Sequence, residues 1–293
     1  MASAGQWVAG ARPRTLPAAL SPVLVGTGAA AALGAADAGR ALLAAVVALA
    51  LQVGVNYAND YSDGVRGTDA DRVGPLRLTG SGAAPPRQVL RAALLSFGVA
   101  ALAGVALVAL SGAWWLLVVG ALAVVAAWTY TGGPRPYGYA GLGEVFVFLF
   151  FGLVAVLGTT YTQAGRLSGD SWAGAVAVGS LACAILVANN LRDVPTDAVA
   201  GKRTLAVRLG AARTRTLYTA LLVLPYLLLS VPARTTPFAL LPLLTVPLAV
   251  AAVRVVRGGA TGRDLVPVLG RTGQLELAYA LLLAVALGLA TLF

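Results

Sequence analysis

The sequence predicts an all-α membrane protein with a bundle of nine transmembrane helices, and its composition and the spacing of its apolar runs carry this prediction. Of 293 residues, 59% are hydrophobic and 11% are charged, with a mean hydropathy of +0.84. A soluble domain carries about 25% charged residues, so a polytopic membrane protein is predicted. A bilayer span needs about 20 apolar residues. Nine such runs occur, at roughly 16–36, 40–58, 89–110, 113–131, 142–162, 171–191, 214–232, 236–256 and 273–292.

The connections between these runs alternate in charge, which supports the count of nine and indicates an orientation. Connections after the first, third, fifth and seventh runs are short and poor in charge, whereas the others are longer and basic. A cytoplasmic N-terminus places 18 of the 21 Lys and Arg residues on the cytoplasmic side, as the positive-inside rule requires. Basic residues confined to such short loops argue against nucleic-acid binding. We therefore expect a multi-pass protein of the cell membrane with its N-terminus in the cytoplasm.

Acidic residues are rare, and most of them gather in two clusters at the ends of apolar runs. Only 11 residues are Asp or Glu, and six of these lie in two short stretches. The first stretch follows the second run and holds Asn56, Asp60 and Asp63 at positions 0, +4 and +7, with Asp69 and Asp71 beyond. Carboxylates at the edge of a hydrocarbon layer are costly, so this cluster is predicted to be functional.

The second cluster follows the sixth run and is built like the first. Asn190, Asp193 and Asp197 stand at positions 0, +3 and +7. Both sets place their three side chains on one face of a helix. Both clusters also fall on the predicted cytoplasmic side, four runs apart, which suggests two related halves of the chain.

Two carboxylate clusters fit the binding of divalent cations and, through them, of a diphosphate. Mg²⁺ is typically held by one or two carboxylates together with phosphate oxygens of a substrate. The chain has no His, which excludes His-based metal sites and Ser-His-Asp catalysis. Its single cysteine, Cys183, excludes a disulfide framework. Nearby basic residues are candidates for completing the anion site: Arg72, Arg77, Arg192, Lys202 and Arg203.

Four further residues have both a structural and a functional interpretation. Tyr57, Tyr61 and Tyr130 lie near the predicted membrane interface, where they either form an aromatic belt or line a dry cavity for an allylic cation. Glu144 lies just inside the fifth run, and an acid there needs a partner or a role. It either pairs with an arginine or acts as a general base.

The motifs around these residues resemble those of the UbiA-type intramembrane prenyltransferases. Asn59, Asp60 and Asp63 match the first motif, whereas the usual third Asp is replaced by Gly67. This departure resembles the branch that prenylates 1,4-dihydroxy-2-naphthoate. The branch also shows R-x-G-P-x-R, here at 72–77, and N-N-x-R-D-x-x-x-D-x-x-x-G-K-x-T-L-x-V-R-L-G, here at 189–210. Further matches are A-R-P-R-T-L-P-A-A at 11–19, Y-T-G-G-P at 130–134 and G-L-G-E at 141–144.

The resemblance covers nearly the whole chain and implies a fold and a reaction. It implies one domain over residues 1–293, with halves at roughly 1–135 and 136–293, whose nine helices surround a central cavity. It also implies that polyprenyl diphosphate is the donor, that 1,4-dihydroxy-2-naphthoate is the acceptor and that Mg²⁺ is the cofactor. Carbon dioxide and diphosphate then leave, and demethylmenaquinone forms.

The two motifs and the basic residues receive roles from the chemistry and the resemblance together. The expected metal ligands are Asp60, Asp63, Asp69, Asn190, Asp193 and Asp197. The expected diphosphate contacts are Asn56, Asn59, Arg72, Arg77, Asn190, Arg192, Lys202 and Arg203. The expected catalytic residues are the four motif carboxylates Asp60, Asp63, Asp193 and Asp197, with Glu144. The expected lining of the acceptor cavity is Tyr57, Tyr61 and Tyr130.

Two alternatives stay open at this point. One is a family relative with another acceptor, such as 4-hydroxybenzoate, haem or a chlorophyllide, which the R-x-G-P-x-R and N-N-x-R-D stretches argue against. The other is a cation carrier that uses the carboxylates as its ion path. A carrier predicts acids strung through the membrane depth, whereas the two motifs gather theirs at one face.

Overall fold

The computed structural model describes residues 2–67 and 76–290, and every regular element in these ranges is helical, which confirms the predicted fold class. The α-helices are α1 (Ala4–Ala11), α2 (Leu16–Ala32), α3 (Ala38–Arg66), α4 (Pro86–Ser111), α5 (Leu116–Thr129), α6 (Gly143–Val147), α7 (Ala155–Ala164), α8 (Gly169–Val199), α9 (Leu205–Leu228), α10 (Val246–Arg257) and α11 (Val266–Leu289). Short 3₁₀ segments lie at Pro13–Thr15, Tyr137–Ala140, Pro232–Arg234, Pro237–Thr245 and Gly262–Leu265.

Each of the nine predicted runs corresponds to a helical segment. Within the described ranges, eight segments are long and apolar enough to cross a membrane. The fourth run, 113–131, corresponds to α5, whose 14 residues are shorter than a full span. The fifth run is continuous through α6, a π-helix at Phe148–Val154 and α7. Irregular π-helical turns often mark functional sites, and this one borders the cavity described below.

Helices α3 and α8 extend well beyond the apolar runs from which they were predicted. The runs end at 58 and 191, whereas the helices continue to Arg66 and Val199. Helix α3 then stops at Gly67, whose φ of 73° supplies the left-handed cap that glycine adopts without strain. Both acidic motifs therefore lie on the last turns of long helices and not in loops, which fixes the spacing of their side chains.

Helix α8 is the centre of the bundle, so the second motif stands on the most enclosed element. Most of its residues along the apolar stretch are buried, whereas the other spanning helices bury half of theirs or fewer. It packs against α2, α9, α11 and the π-helical segment. Glycines permit the closest approach: a Cβ added to Gly152 would lie 2.7 Å from Cα of Gly179 in α8.

The end of the bundle opposite the motifs is closed by Arg40, near the start of α3. Its guanidinium donates to the carbonyl of Thr162 at 3.0 Å and to that of Leu110 at 2.8 Å. These carbonyls belong to the last turns of α7 and α4, where helices leave acceptors unpaired. One of the three basic residues predicted on the non-cytoplasmic side is therefore a cap that joins three helices.

One acid lies inside the bundle, away from both motifs. Glu276 of α11 has 0% of its surface exposed. Neither of its carboxylate oxygens has a hydrogen-bond partner within residues 2–67 and 76–290. Its place in the sequence predicts no role, because one acid at the start of an apolar run belongs to no motif.

Candidate active site

A cavity of about 1880 Å³ runs through the bundle between α2, α3, α4, α5, α7 and α8. Its wall is polar at the end where the two motifs lie and apolar along the rest of its length. Small and aliphatic residues of α4 and α5, with Phe146, Phe150 and Phe151 opposite, form the apolar part. The predicted central cavity is thus present, and both motifs open into it.

The first motif presents Asp63 to the cavity, and several donors converge on its carboxylate. Tyr139 donates its hydroxyl to Oδ1 at 2.5 Å. Arg77 lies 3.4 Å from Oδ2, and Lys202 lies 3.9 Å from Oδ1. Asn59, one turn earlier, also borders the cavity, and its Oδ1 accepts the hydroxyl of Thr131 at 2.7 Å.

Asp60 has a different environment from Asp63, although both were predicted to bind metal. It is 1% exposed, and its two oxygens accept the backbone N–H groups of Leu78 at 2.7 Å and Thr79 at 2.8 Å. The carboxylate therefore anchors the segment that carries Arg77. Among the residues that the structure describes, the cavity wall does not include Asp60.

The second motif brings four polar side chains and its two carboxylates to the same end of the cavity. Arg192 donates two hydrogen bonds to the carboxylate of Asp193, from Nε at 2.7 Å and from Nη2 at 2.5 Å. Nη2 also donates to Asn189 Oδ1 at 2.9 Å. The residues of this segment that border the cavity are Asn189, Asn190, Arg192, Asp193, Thr196 and Asp197. A buried, forked contact of this kind holds Asp193 in one orientation.

Lys202 and the 3₁₀ turn Tyr137–Ala140 join the two motifs. Lys202 follows α8, yet its Nζ reaches Asp63 of α3 and stands 4.7 Å over the centre of the Tyr139 ring. The backbone N–H of Arg203 donates to the carbonyl of Tyr139 at 2.9 Å. Arg203 was predicted to bind diphosphate, and its described hydrogen bonds are made by its backbone: this N–H, and its carbonyl, which accepts from Arg208 Nε at 3.1 Å. Tyr139 was missed, although it lies in the stretch between Y-T-G-G-P and G-L-G-E.

Asn56 borders the cavity but is bound to the N-terminal segment. Its Nδ2 donates to the carbonyl of Ala11 at 2.9 Å and to Oγ1 of Thr15 at 3.0 Å. Gln52, one turn earlier, also donates to Thr15 Oγ1, at 3.0 Å. Asn56 therefore holds the chain that enters α2, and its predicted contact with the diphosphate stays a prediction.

Of the three tyrosines predicted to line the acceptor cavity, Tyr130 borders it. Tyr57 instead packs edge-on against Trp7 and donates to that residue's carbonyl, and Tyr61 stacks on Trp128. Both contacts lie on the side of α3 that faces α1 and α5. The helical period alone does not distinguish this side from the side that faces the cavity.

Aromatic rings form a continuous series along the cavity wall. Tyr130 meets Tyr137 edge-on at 5.5 Å, Tyr137 stacks on Phe146 at 4.0 Å, and Phe146 stacks on Phe150 at 6.2 Å. All four border the cavity. Burial raises the pKa of Tyr137 well above its ordinary value, so its hydroxyl stays protonated and donates to the carbonyl of Ala126 at 2.9 Å.

Glu144 lies behind this wall, paired with Asn190. Its Oε1 accepts the Asn190 amide at 2.9 Å, and its own carbonyl accepts the thiol of Cys183 at 3.1 Å. The side chain is 8% exposed, and the cavity wall formed by the described residues includes Asn190 but not Glu144. The sequence-based alternatives were an arginine partner and a role as base; the described partner is an amide.

The donor set at the polar end suits a hard divalent cation. Carboxylates of Asp63, Asp193 and Asp197 border the cavity, together with amide oxygens and no sulfur or imidazole ligand within the described ranges. In those same ranges, no three acidic, His or Cys side chains are grouped closely enough to hold a metal by themselves. Phosphate oxygens of a substrate commonly complete a Mg²⁺ site. The predicted ligand Asp69 and the predicted diphosphate contact Arg72 lie outside the described residues.

In the part of the chain that the structure describes, a helical bundle carries two acidic motifs at one end of an apolar cavity, as an intramembrane prenyltransferase requires, and sequence comparison agrees. The model of the UbiA prenyltransferase family matches residues 19–267. The chain belongs to this family and is an integral membrane protein.

Individual relatives are similar along the whole chain. The 1,4-dihydroxy-2-naphthoate octaprenyltransferase of Mycobacterium tuberculosis is 59% identical over 287 residues, which cover 98% of each chain. Among solved structures, a UbiA homolog from Aeropyrum pernix has a TM-score of 0.71 at 16% identity, covering 96% of this chain and 98% of its own. A UbiA homolog from Archaeoglobus fulgidus, bound to GPP and Mg²⁺, has a TM-score of 0.64 at 15% identity, covering 95% and 99%. At such identities the structures demonstrate the shared fold.

Proposed function

We propose that this protein transfers a polyprenyl group from polyprenyl diphosphate to 1,4-dihydroxy-2-naphthoate, with loss of carbon dioxide and diphosphate, to give demethylmenaquinol, the quinol form of demethylmenaquinone. The observation that carries the proposal is the meeting of the two motifs at the polar end of one apolar cavity, where Lys202 of the second segment reaches Asp63 of the first. The near full-length likeness to a relative named for the naphthoate reaction supports this acceptor.

The polar end is suited to hold the diphosphate. Arg77, Arg192 and Lys202 all border the cavity and are paired with motif carboxylates. We propose Mg²⁺ as the cofactor, held by Asp63, Asp193 and Asp197 together with diphosphate oxygens. Its positive charge would stabilise the leaving diphosphate as the allylic C–O bond breaks. The Mg²⁺ and GPP bound to the Archaeoglobus fulgidus homolog support this choice.

The apolar length of the cavity is suited to hold the prenyl tail. Along α3 the wall runs from Asp63 back to Ala44, and 19 residues of helix span about 28 Å. The tail would lie along Gly104 and Gly120, where the absence of side chains leaves room. Burial in this wall also excludes water from the allylic carbon, which favours attack by the ring over hydrolysis.

The electron balance of the transfer requires no net removal of a proton. The C–O bond breaks with its electron pair going to diphosphate, and the ring carbon that bears the carboxylate forms the new C–C bond. The C–CO₂⁻ bond then breaks, and its electron pair restores the aromatic ring. The stacked rings of Tyr137, Phe146 and Phe150 border the cavity and would stabilise the allylic cation through their π-electrons.

The alternative acceptors and the carrier alternative have less support. A carrier needs acids along the membrane depth, whereas the cavity wall formed by the described residues carries its acids at the motif end and does not include the buried Glu276. An acceptor such as 4-hydroxybenzoate is prenylated at a carbon that carries hydrogen, so a base must remove that ring proton. Transfer to the carboxyl-bearing carbon of the naphthoate needs no such base. We also propose that the motif end faces the cytoplasm, because most basic residues lie at that end.

Purified protein supplied with Mg²⁺ and a labelled polyprenyl diphosphate tests the proposal. One reaction contains 1,4-dihydroxy-2-naphthoate and a parallel one contains 4-hydroxybenzoate, and products are identified by mass spectrometry. We expect a prenylated, decarboxylated naphthoquinol and release of labelled CO₂ from carboxyl-labelled naphthoate. Prenylation of 4-hydroxybenzoate alone, or a product that keeps its carboxylate, would rule out the proposed reaction. Asp193→Asn is the matched control for background chemistry.

A further inference from the structure

Asn190 and Glu144 form a buried pair at the cavity wall whose chemistry fixes the direction of the amide. The side chains are 7% and 8% exposed, and Asn190 Nδ2 donates to Glu144 Oε1 at 2.9 Å. Glu144 Oε1 accepts this bond, so the NH₂ end of the amide faces Glu144. The carbonyl oxygen Oδ1 is then left on the cavity side. It receives no hydrogen bond from any residue that the structure describes.

Glu144 is held firmly enough to act as a fixed anchor for that amide. The thiol of Cys183 in α8 donates to its carbonyl at 3.1 Å. Beside it, a Cβ on Gly143 would lie 3.2 Å from Leu186 Cδ2 and 3.4 Å from Tyr130 Cε2. Glycine at this position therefore lets α6 approach α8 closely, which sets the distance between the carboxylate and the amide.

The position of Asn190 along α8 separates it from the groups that hold the diphosphate. It lies three residues, or about 4.5 Å, deeper along the helix axis than Asp193 and carries no charge. The Tyr130 ring, which borders the cavity, lies against the start of α6 beside Glu144. A neutral acceptor oxygen beside aromatic rings, one turn below the charged groups, suits the hydroxyl of a flat aromatic substrate better than a cation.

We propose that Asn190 Oδ1 accepts a hydrogen bond from a ring hydroxyl of the acceptor, and that Glu144 is a positioning residue that holds the Asn190 amide in this direction. The inference rests on the proposed function, since it takes 1,4-dihydroxy-2-naphthoate as the acceptor. It replaces the assignments of Glu144 as general base and of Asn190 as metal ligand. A hydroxyl that donates to Oδ1 leaves more electron density on the ring, which promotes attack on the allylic cation without removal of a proton.

The experiment compares Glu144→Gln, Glu144→Ala, Asn190→Ala and the double variant Glu144→Ala/Asn190→Ala in steady-state assays that vary each substrate separately. Gln keeps an oxygen for the Asn190 amide, so Glu144→Gln should stay within about threefold of wild-type kcat and naphthoate KM. Glu144→Ala and Asn190→Ala should each raise the naphthoate KM by about tenfold or more, with donor KM unchanged, which corresponds to the loss of one well-placed hydrogen bond. The double variant should be no worse than Asn190→Ala, because Glu144 acts only through the amide.

Asp170→Asn is the matched control, an acid lost from the other end of α8, and should leave both KM values unchanged. A hundredfold fall in kcat for Glu144→Gln would overturn the inference in favour of a base. Additive losses in the double variant, or a raised donor KM in Asn190→Ala, would overturn it as well. If Glu144→Ala does not fold, Glu144→Leu, which fills a similar volume but accepts no hydrogen bond from the amide, takes its place in the comparison. A wild-type protein that fails to prenylate the naphthoate would instead refute the proposed function.

Discussion

Asp63 is the carboxylate on which the cationic and hydroxyl donors of the site converge, and its replacement by Asn tests the two-motif arrangement. The substitution keeps the size of the side chain but removes the charge that balances Arg77 and Lys202. It also weakens the hydrogen bond from Tyr139, because a neutral amide oxygen is a poorer acceptor than a carboxylate. The remaining arginine and lysine then face the diphosphate without a counter-charge or a metal ligand between them.

The expected loss follows from the size of comparable electrostatic contacts. Removal of one preorganised electrostatic group lowers kcat by about a hundredfold or more, or roughly 2.7 kcal/mol or above. We expect this loss in Asp63→Asn, together with a higher Mg²⁺ concentration for half-maximal activity. Chelator should abolish wild-type activity, and added Mg²⁺ should restore it.

Asp60→Asn provides a contrast within the same motif. Its carboxylate accepts two backbone N–H groups, so Asn turns an NH₂ group toward one of these donors. The expected cost is about 1–3 kcal/mol of stability, seen as a lower unfolding temperature in detergent. Asp63→Asn should instead show its main effect in turnover and in the Mg²⁺ concentration needed for half-maximal activity. Wild-type turnover and Mg²⁺ dependence in Asp63→Asn would refute the reasoning.

Three further predictions use other parts of the structure. Lys202→Ala should raise the donor KM about tenfold or more, whereas the exposed anchor variant Arg257→Ala should not; equal KM values in kinetic assays would contradict the diphosphate role. Glu276→Leu should stabilise the protein by about 1–3 kcal/mol, because it removes a buried carboxyl that has no hydrogen-bond partner among the described residues; a lower melting temperature would show that the carboxyl is needed. Gly152→Ala should destabilise by about 1–3 kcal/mol through collision with the backbone of α8, while Gly98→Ala, with open space at its Cβ, should be neutral or slightly stabilising in the same thermal assay.

The membrane class, the nine helical segments and the two acidic motifs follow from the sequence by itself. Each depends on local information: a run of about 20 apolar residues must become a helix in a bilayer, because its backbone finds no other hydrogen-bond partners. The rarity of acids makes the two clusters stand out, and their spacing places each set on one helical face. The helices themselves extend beyond the apolar stretches and end at Arg66 and Val199. Hydropathy marks the extent of the hydrocarbon layer and not the last hydrogen bond of a helix.

Tertiary packing alone decided which side chain of a motif meets which neighbour. Asp60 and Asp63 are separated by only about 60° around α3, yet one binds the backbone at Leu78 and Thr79 and the other faces the cavity. A helical period cannot resolve this difference, because it depends on where the following segment folds back.

The contacts of Tyr139 and Glu144 were also beyond the reach of sequence patterns. Tyr139 meets Asp63 across 76 positions, and Glu144 meets Asn190 across 46. Such pairs are set by the close approach of whole helices, which glycine positions such as Gly143 and Gly152 permit. The sequence therefore specified the chemical groups and their spacing along each helix, and the packing of α3, α6 and α8 against one another specified which of these groups face the reaction.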